Sequence, residues 1–134
     1  MVTPPRSQTS DGLTLDAGAL IAVDRQVRTL VVLLARAAET GARITVPAPA
    51  LAQAIRNPAR QARLVRLVRQ PTTVVPALDR ADALVIGPLL AATRTKDVVD
   101  AHVVVCAQRF GQAIITSDTD SIRRIDPNAR VVPV

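Results

Sequence analysis

Four aspartates, Asp16, Asp97, Asp100 and Asp118, are spaced so that one edge of a parallel sheet would gather them, with Asp120 as a further acid close by. Asp97 and Asp100 lie three apart at the start of an expected helix, so they share its face and its first turn. Carboxylates grouped this way repel one another unless a hard cation neutralises them. An oxygen-only ligand set that retains water suits Mg2+ or Mn2+. Such an ion polarises a phosphodiester and lowers the pKa of a bound water that can attack phosphorus. The chemistry implied is metal-assisted phosphodiester hydrolysis. A plainer role stands beside it: Asp16 and Asp118 suit the N-caps of helices that follow them, and Asp97 with Asp100 suits an N-cap with an acid at N3, worth about 1 kcal/mol of helix stability. Capping alone, however, does not call for several aspartates at the carboxyl edge of one sheet.

The elements that would position these acids follow from apolar spacing and turn residues. Leu13 to Leu15 read as a short strand ending at Asp16, and AGALIAV gives a helical turn or two. The next helix opens near Gln26–Val27, buries Val27, Leu30, Val31, Leu34 and Ala38 as one stripe, and ends at Gly41. Ile44–Val46 is expected as the second strand, Ala50 to Arg56 as a helix broken at Asn57–Pro58, Arg60–Gln70 as resumed helix, and Thr72–Val75 as the third strand. Asp79–Ala92 reads as a helix kinked or split at Gly87–Pro88, and Asp97–Phe110 as a strongly apolar helix ended by Gly111. Ala113–Thr116 is the fourth strand, Ser121–Arg124 at most a helical turn, and Arg130–Val132 the fifth strand.

Short strands without alternation, separated by helices, imply a parallel sheet covered on both faces. The expected fold is α/β, a three-layer α/β/α sandwich around a five-stranded parallel sheet. In such sheets ligands collect outside the carboxyl ends of the strands, where the strand order switches. Asp16 directly follows the first strand, and Asp118 closely follows the fourth. Residues 1–11 are rich in Pro, Ser and Thr and are expected as a flexible segment, leaving 12–134 as one domain.

Composition narrows the function classes. With 134 residues, 49% hydrophobic and 21% charged, the chain can bury one core and is too apolar for disorder. Phe110 is its only aromatic residue, so bound nucleic acid cannot rest on a platform of stacked rings, which excludes the RNP-type and OB-type readers. Charge is the remaining handle: the net charge is +6 and every base except Lys96 is an arginine, the side chain suited to bidentate phosphate contact. The single Cys106 excludes an internal disulfide and any multi-cysteine zinc site, and it fits a reducing cytosol. No export-type opening segment is visible and the apolar runs fall short of the roughly 20 residues of a membrane span, so a cytoplasmic protein without a membrane partner is expected.

Read in order, LTLDAGALIAVDR, VPAPALAQAIRNP, DVVDAHVVVCAQRFG and AIITSDTDSI resemble the PIN-domain family, specifically its VapC-like ribonuclease toxins of bacterial type II toxin–antitoxin pairs. The resemblance spans roughly residues 13–134. It implies a small Mg2+- or Mn2+-dependent endoribonuclease that cleaves cellular RNA, is neutralised by a cognate antitoxin whose tail enters the pocket, and forms a homodimer. It also implies site residues: Asp16 as the first-strand acid, Asp100 as the acid opening the DAxxxA-like helix, and Asp118 as the acid of the T-x-D turn. Asp97 stands with these three around the metal. Thr116, Ser117 and Asp120 are near-site residues, one hydroxyl of the first two being suited to orient a water or a phosphate. One position departs from the pattern. Where the family usually has a glutamate, this chain has Gln53, which can accept a hydrogen bond but cannot take a proton or add charge. The alternative reading is therefore a weak or silent module that acts by binding RNA or antitoxin.

Arg63, Arg66 and Arg69 fall within one arc of a helix, with Arg56 and Arg60 leading into them and no acid between Arg43 and Asp79. This row is a candidate contact for RNA phosphates or for an acidic antitoxin segment, or else a solvated face. His102 faces away from Asp100 around its helix and reads as a partly buried structural residue. A phosphorelay receiver would need a lysine after a late strand, and a haloacid-dehalogenase-type phosphatase a DxD pair after the first. The chain has neither, since Lys96 precedes a helix and Asp16 opens Asp16-Ala17-Gly18.

Overall fold

A computed structural model describes residues 12–134; the expected flexible segment, 1–11, lies outside the described residues. Five strands, β1 (Leu13–Leu15), β2 (Ile44–Thr45), β3 (Thr73–Val74), β4 (Ala113–Thr116) and β5 (Val131–Pro133), form one sheet in the order β3-β2-β1-β4-β5. Every pairing is parallel. Parallel neighbours need crossovers, and seven α-helices provide them: α1 (Ala17–Asp24), α2 (Arg28–Thr40), α3 (Ala48–Ala54), α4 (Ala62–Val68), α5 (Arg80–Thr93), α6 (Val98–Phe110) and α7 (Thr119–Ile125). A 3-10 turn, Pro58–Arg60, stands between α3 and α4.

The chain moves one way from β1 to β3 and the other way from β3 to β5, so right-handed crossovers place α1 to α4 on one face and α5 to α7 on the other. Packing agrees, since α1 meets α2, α3 and α4, while α5, α6 and α7 meet one another. With strands of two to four residues, helices from opposite faces also touch, α3 against α6. The three-layer sandwich is the expected fold. The direction of travel reverses between β1 and β4, and Asp16 leaves one of those strands.

The core is aliphatic. Leu15, Leu20, Leu30, Val46, Leu64, Val103, Val104, Ile114, Ile115 and Ile122 are all fully buried. On α4, Leu64 and Leu67 are buried and Arg63, Arg66 and Arg69 exposed, as the spacing predicts. On α2 the buried residues are Leu30 and Ala37, with Leu33 and Leu34 partly covered. Val31 and Ala38, expected in the stripe, face solvent, because the helix contacts its neighbours along a line one residue round from the one expected.

Three other expectations are corrected. Helix α5 runs unbroken through Gly87–Pro88, since the carbonyl that loses its partner to proline lies on the exposed side. The segment after Asp118 is a full helix, α7, because that aspartate caps it. Helix α4 starts only at Ala62, after the 3-10 turn. The edges of β2, β3, β5 and α3 differ from expectation by one or two residues. No helix among the described residues is long and apolar enough to cross a membrane.

A polar network centred on Asp82 is buried inside this shell. Asp82 is 1% exposed. It shares a capping box with Asp79 at the start of α5 and bonds the Arg109 guanidinium of α6. The fully buried His102, not partly buried as expected, has its Nε2 3.5 Å from Asp82 Oδ2 and 3.5 Å from Cys106 Sγ. Arginine pairing holds the Asp82 carboxyl below its ordinary range, and burial pushes the His102 imidazole down and the Cys106 thiol up to about 11. The thiol is thus a packed, unreactive group, and the network joins α5 to α6. Asp82→Ala is expected to cost about 2 kcal/mol, the loss of a buried charge-assisted bond with one half-exposed partner. Urea denaturation checks this, and a loss below about 0.5 kcal/mol would show that the network does not hold the two helices together.

Candidate active site

Register brings the first two site residues together. β1 pairs with β4 so that Leu15 stands opposite Ile115, and the next residues along are Asp16 and Thr116. The Asp16 N–H donates to Ile115 O, extending the ladder by one step. Asp16 is 4% exposed and its Oδ1 accepts the Ala19 N–H at 2.8 Å, capping α1. Its other oxygen is free of that bond. Burial pushes the Asp16 carboxyl up, opposed by the Thr116 hydroxyl and the Ala19 N–H, and Asp118 adds to the rise.

Thr116 Oγ1 is fully buried and accepts the Asp118 N–H at 2.8 Å. This one hydroxyl ties the chain leaving β4 to the acid leaving β1. Ser117, exposed, reaches over the first turn of α1. A Cβ on Gly18 would come 1.9 Å from Ser117 Oγ and 3.6 Å from Asp16 Oδ1. Glycine here lets Ser117 sit directly against the first turn of α1 beside the Asp16 carboxylate, a contact that any side chain at position 18 would block.

Asp118 caps α7. Its Oδ1 accepts the Ser121 N–H at 3.1 Å and its Oδ2 the Ser121 hydroxyl at 2.6 Å, and these bonds hold its carboxyl below the ordinary range, helped by Arg124. Asp97 caps α6 through the Asp100 N–H at 2.9 Å. Asp100 caps nothing. Its half-buried carboxyl is pushed up to about 7, first by burial, then by Asp97, Asp16 and Asp118, with no cation opposing them. Asp100 thus feels the three other acids together. Asp120 is exposed in the first turn of α7 and makes no side-chain hydrogen bond to them. Gln53 is exposed on α3, the helix packed on α1 and α6.

Among the described residues, no three Asp, Glu, His or Cys side chains converge as a ready-made metal cage. The donor set nevertheless fits a hard divalent cation. Mg2+ keeps several waters and is commonly held by one or two carboxylates, and here Asp16 and Asp100 bring two carboxylates close enough that each feels the other's charge.

The arginine row lies elsewhere. Arg63 and Arg66 line a groove with Ala42 and Thr72, which precede β2 and β3 at the amino edge of the sheet, opposite the acids. Arg69 lines a neighbouring cavity with Pro58 and Pro71. Arg56 and Arg60 are exposed around the 3-10 turn. A cavity of about 470 Å³ beside Phe110, which lies under Arg43, also opens at the amino edge and contains none of the acids. The cavity that does contain Asp97 and Asp100 is bordered by Arg94, Lys96 and Arg124, three bases that spacing along the chain does not single out.

The family model described as the PIN domain matches residues 13–127, from the first residue of β1 to just past α7. No curated protein matches the chain.

Asp16 and Asp100 both have folded-state pKa values above the unfolded ones, so the stability they contribute is full below about pH 4 and is lost as pH rises through the raised values, about 7 for Asp100. In metal-free buffer at pH 8, Asp100→Asn is expected to stabilise the fold by about 1 kcal/mol, allowing for solvent screening of a half-exposed group, or roughly 3–6 °C in Tm. The gain should shrink as pH is lowered to 5. Thermal melts across this range check it, and a gain independent of pH would contradict the mutual repulsion of the acids.

Proposed function

Because the chain belongs to the PIN-domain family, whose members are typically metal-dependent nucleases, we propose that it is an endoribonuclease of the VapC-like toxin type, acting with Mg2+ or Mn2+ on cellular RNA. One observation carries this reading. Asp100 is pushed up to about 7, first by burial and then by Asp97, Asp16 and Asp118, at the switch point of the sheet, and none of the four forms a salt bridge among the described residues. A stable fold keeps such repulsion where a ligand relieves it.

Asp16 and Asp100 would hold the ion, and Asp97 and Asp118 add negative charge around it. When bound, it would neutralise the cluster, polarise a phosphodiester and activate water for attack on phosphorus. The chain's own residues supply position. Thr116 ties the Asp118 backbone N–H to the Asp16 carboxylate through its buried hydroxyl. Ser117, exposed and seated against Gly18, presents a hydroxyl that can donate to a phosphate oxygen. Gln53 neither takes a proton nor adds charge, so proton acceptance falls to the carboxylates.

RNA as substrate is supported by the excess of positive charge and the lack of aromatic rings near the acids, which favour backbone recognition over base stacking. The toxin role and the neutralising antitoxin are supported by the motif strings. The Arg56, Arg60, Arg63, Arg66 and Arg69 row, of which Arg63 and Arg66 line a groove at the amino edge, is assigned to an acidic segment of that antitoxin. Pairing with a second copy is supported by α5, whose outward side carries Leu84 at 71% and Val85 at 54% exposure. An apolar face of this kind is covered most simply by its own symmetry mate.

Purified protein with Mn2+ should cleave single-stranded RNA, and Asp16→Ala should lower the rate at least 100-fold. Equal cleavage by both proteins would refute the active-site assignment, whereas no Mn2+-dependent cleavage by the parent would favour the silent binding module. Light scattering should give twice the chain mass for the parent and the single chain mass for Leu84→Glu; a monomeric parent would overturn the dimer.

A further inference from the structure

The cavity of about 540 Å³ beside the acids has a second chemistry. Asp97, Asp100 and Ser121 line it together with Arg94, Lys96 and Arg124. Arg94 and Lys96 come from the connection between α5 and α6, and Arg124 from α7, so two separate segments present cations to one space. All three are exposed. The salt bridges of the described residues both lie at Asp82, leaving these cations free of ion pairs although carboxylates share their cavity. Arg124 is nevertheless near enough to Asp118 to help hold that carboxyl below its ordinary range.

The backbone at Arg94 adds an independent sign. Three helices end on a left-handed residue. For α2 and α6 it is glycine, Gly41 at φ 71° and Gly111 at φ 63°. For α5 it is Arg94, at φ 56° and ψ 42°. Glycine adopts this conformation at less cost than any residue with a Cβ. The cap hydrogen bonds from the Arg94 N–H to Leu90 and Ala91 are backbone bonds that glycine would form equally well. The fold therefore keeps a guanidinium at a position where its own stability would favour no side chain, and that guanidinium borders the acidic cavity.

We propose that Arg94, Lys96 and Arg124 are positioning residues that bind the phosphodiester backbone of single-stranded RNA beside the acids. This rests on the reading that the pocket cleaves RNA. It also separates the two basic sets of the chain: these three hold substrate at the carboxyl edge, while the Arg63, Arg66 and Arg69 row faces the amino edge. Carboxylates alone would repel a phosphate. Flanking cations drawn from two segments of the cavity lining offset that repulsion and let the strand approach.

The test uses the non-cleaving Asp16→Asn protein, Mn2+ and a fluorescently labelled single-stranded RNA, with Kd read by anisotropy at several salt concentrations. Arg94→Gln, Lys96→Gln and Arg124→Gln should each weaken binding roughly 3–10-fold and flatten the slope of log Kd against log salt by about 0.7 per charge removed. Arg36→Gln, an exposed guanidinium on α2, should change neither. Arg94→Gly should weaken binding while raising Tm, a pair of opposite effects that a purely structural arginine would not give. A triple variant with the parent's Kd and salt slope overturns the proposal, as does a parent that binds no RNA. Cleavage by the wild type together with unchanged binding in the triple variant would remove this inference alone and leave the nuclease reading standing.

Discussion

Carboxylates that face one another at the carboxyl edge of the sheet repel, and the rest of the structure has to hold them there. It does so with helix starts. Asp16, Asp97 and Asp118 each accept a backbone N–H three residues ahead, capping α1, α6 and α7. The choice between cap and ligand, open from spacing alone, therefore does not have to be made. A carboxylate offers about four lone-pair sites, and one capping bond leaves the others available. The cap fixes where the side chain stands, and what remains free is what can meet a cation. Asp100 is the exception that shows the cost: it caps nothing, and its carboxyl is pushed the furthest.

Anchoring such a cluster requires rigid helices behind it. Helix α6 carries Asp97 and Asp100 at one end and, further along, His102, Cys106 and Arg109, which lock it to α5 through Asp82. Two acid networks thus sit on one helix with opposite design. At Asp82 a guanidinium satisfies the buried carboxylate and lowers its pKa. Around Asp100 no such pairing is made among the described residues, although Arg94, Lys96 and Arg124 are close enough to border the same cavity. The first arrangement is structural; the second leaves its charge to be neutralised from outside.

Much of this was legible in the chain itself. β4 is the Ala113–Thr116 predicted, and Gly41 and Gly111 end α2 and α6 as left-handed caps, because turn and cap chemistry is local. The gathering of Asp16, Asp97, Asp100 and Asp118 was readable because topology rules place strand ends. What escaped depended on distant partners. Asp82 looks like a solvated helix residue until Arg109, 27 positions on, covers it. Val31 fits the apolar spacing of α2, yet its outward direction is decided by what the helix packs against. Sequence also gives no sign that Arg63 and Arg66 approach the amino edge while Arg94 and Arg124 approach the acids, since clustering along a chain is not clustering in space. Gln53 departs from the family's usual glutamate and lies exposed on α3.

At this edge the fold stores negative charge that no salt bridge of the described residues offsets, and we infer that a divalent cation takes it up. Calorimetric titration of Mn2+ into the purified chain at pH 7.5 tests it most directly. Saturable binding is expected, weakened at least tenfold by Asp16→Asn and by Asp100→Asn and unaltered by Asp82→Asn. Saturable binding indifferent to Asp16 and Asp100, or no binding by the unaltered chain, would contradict it.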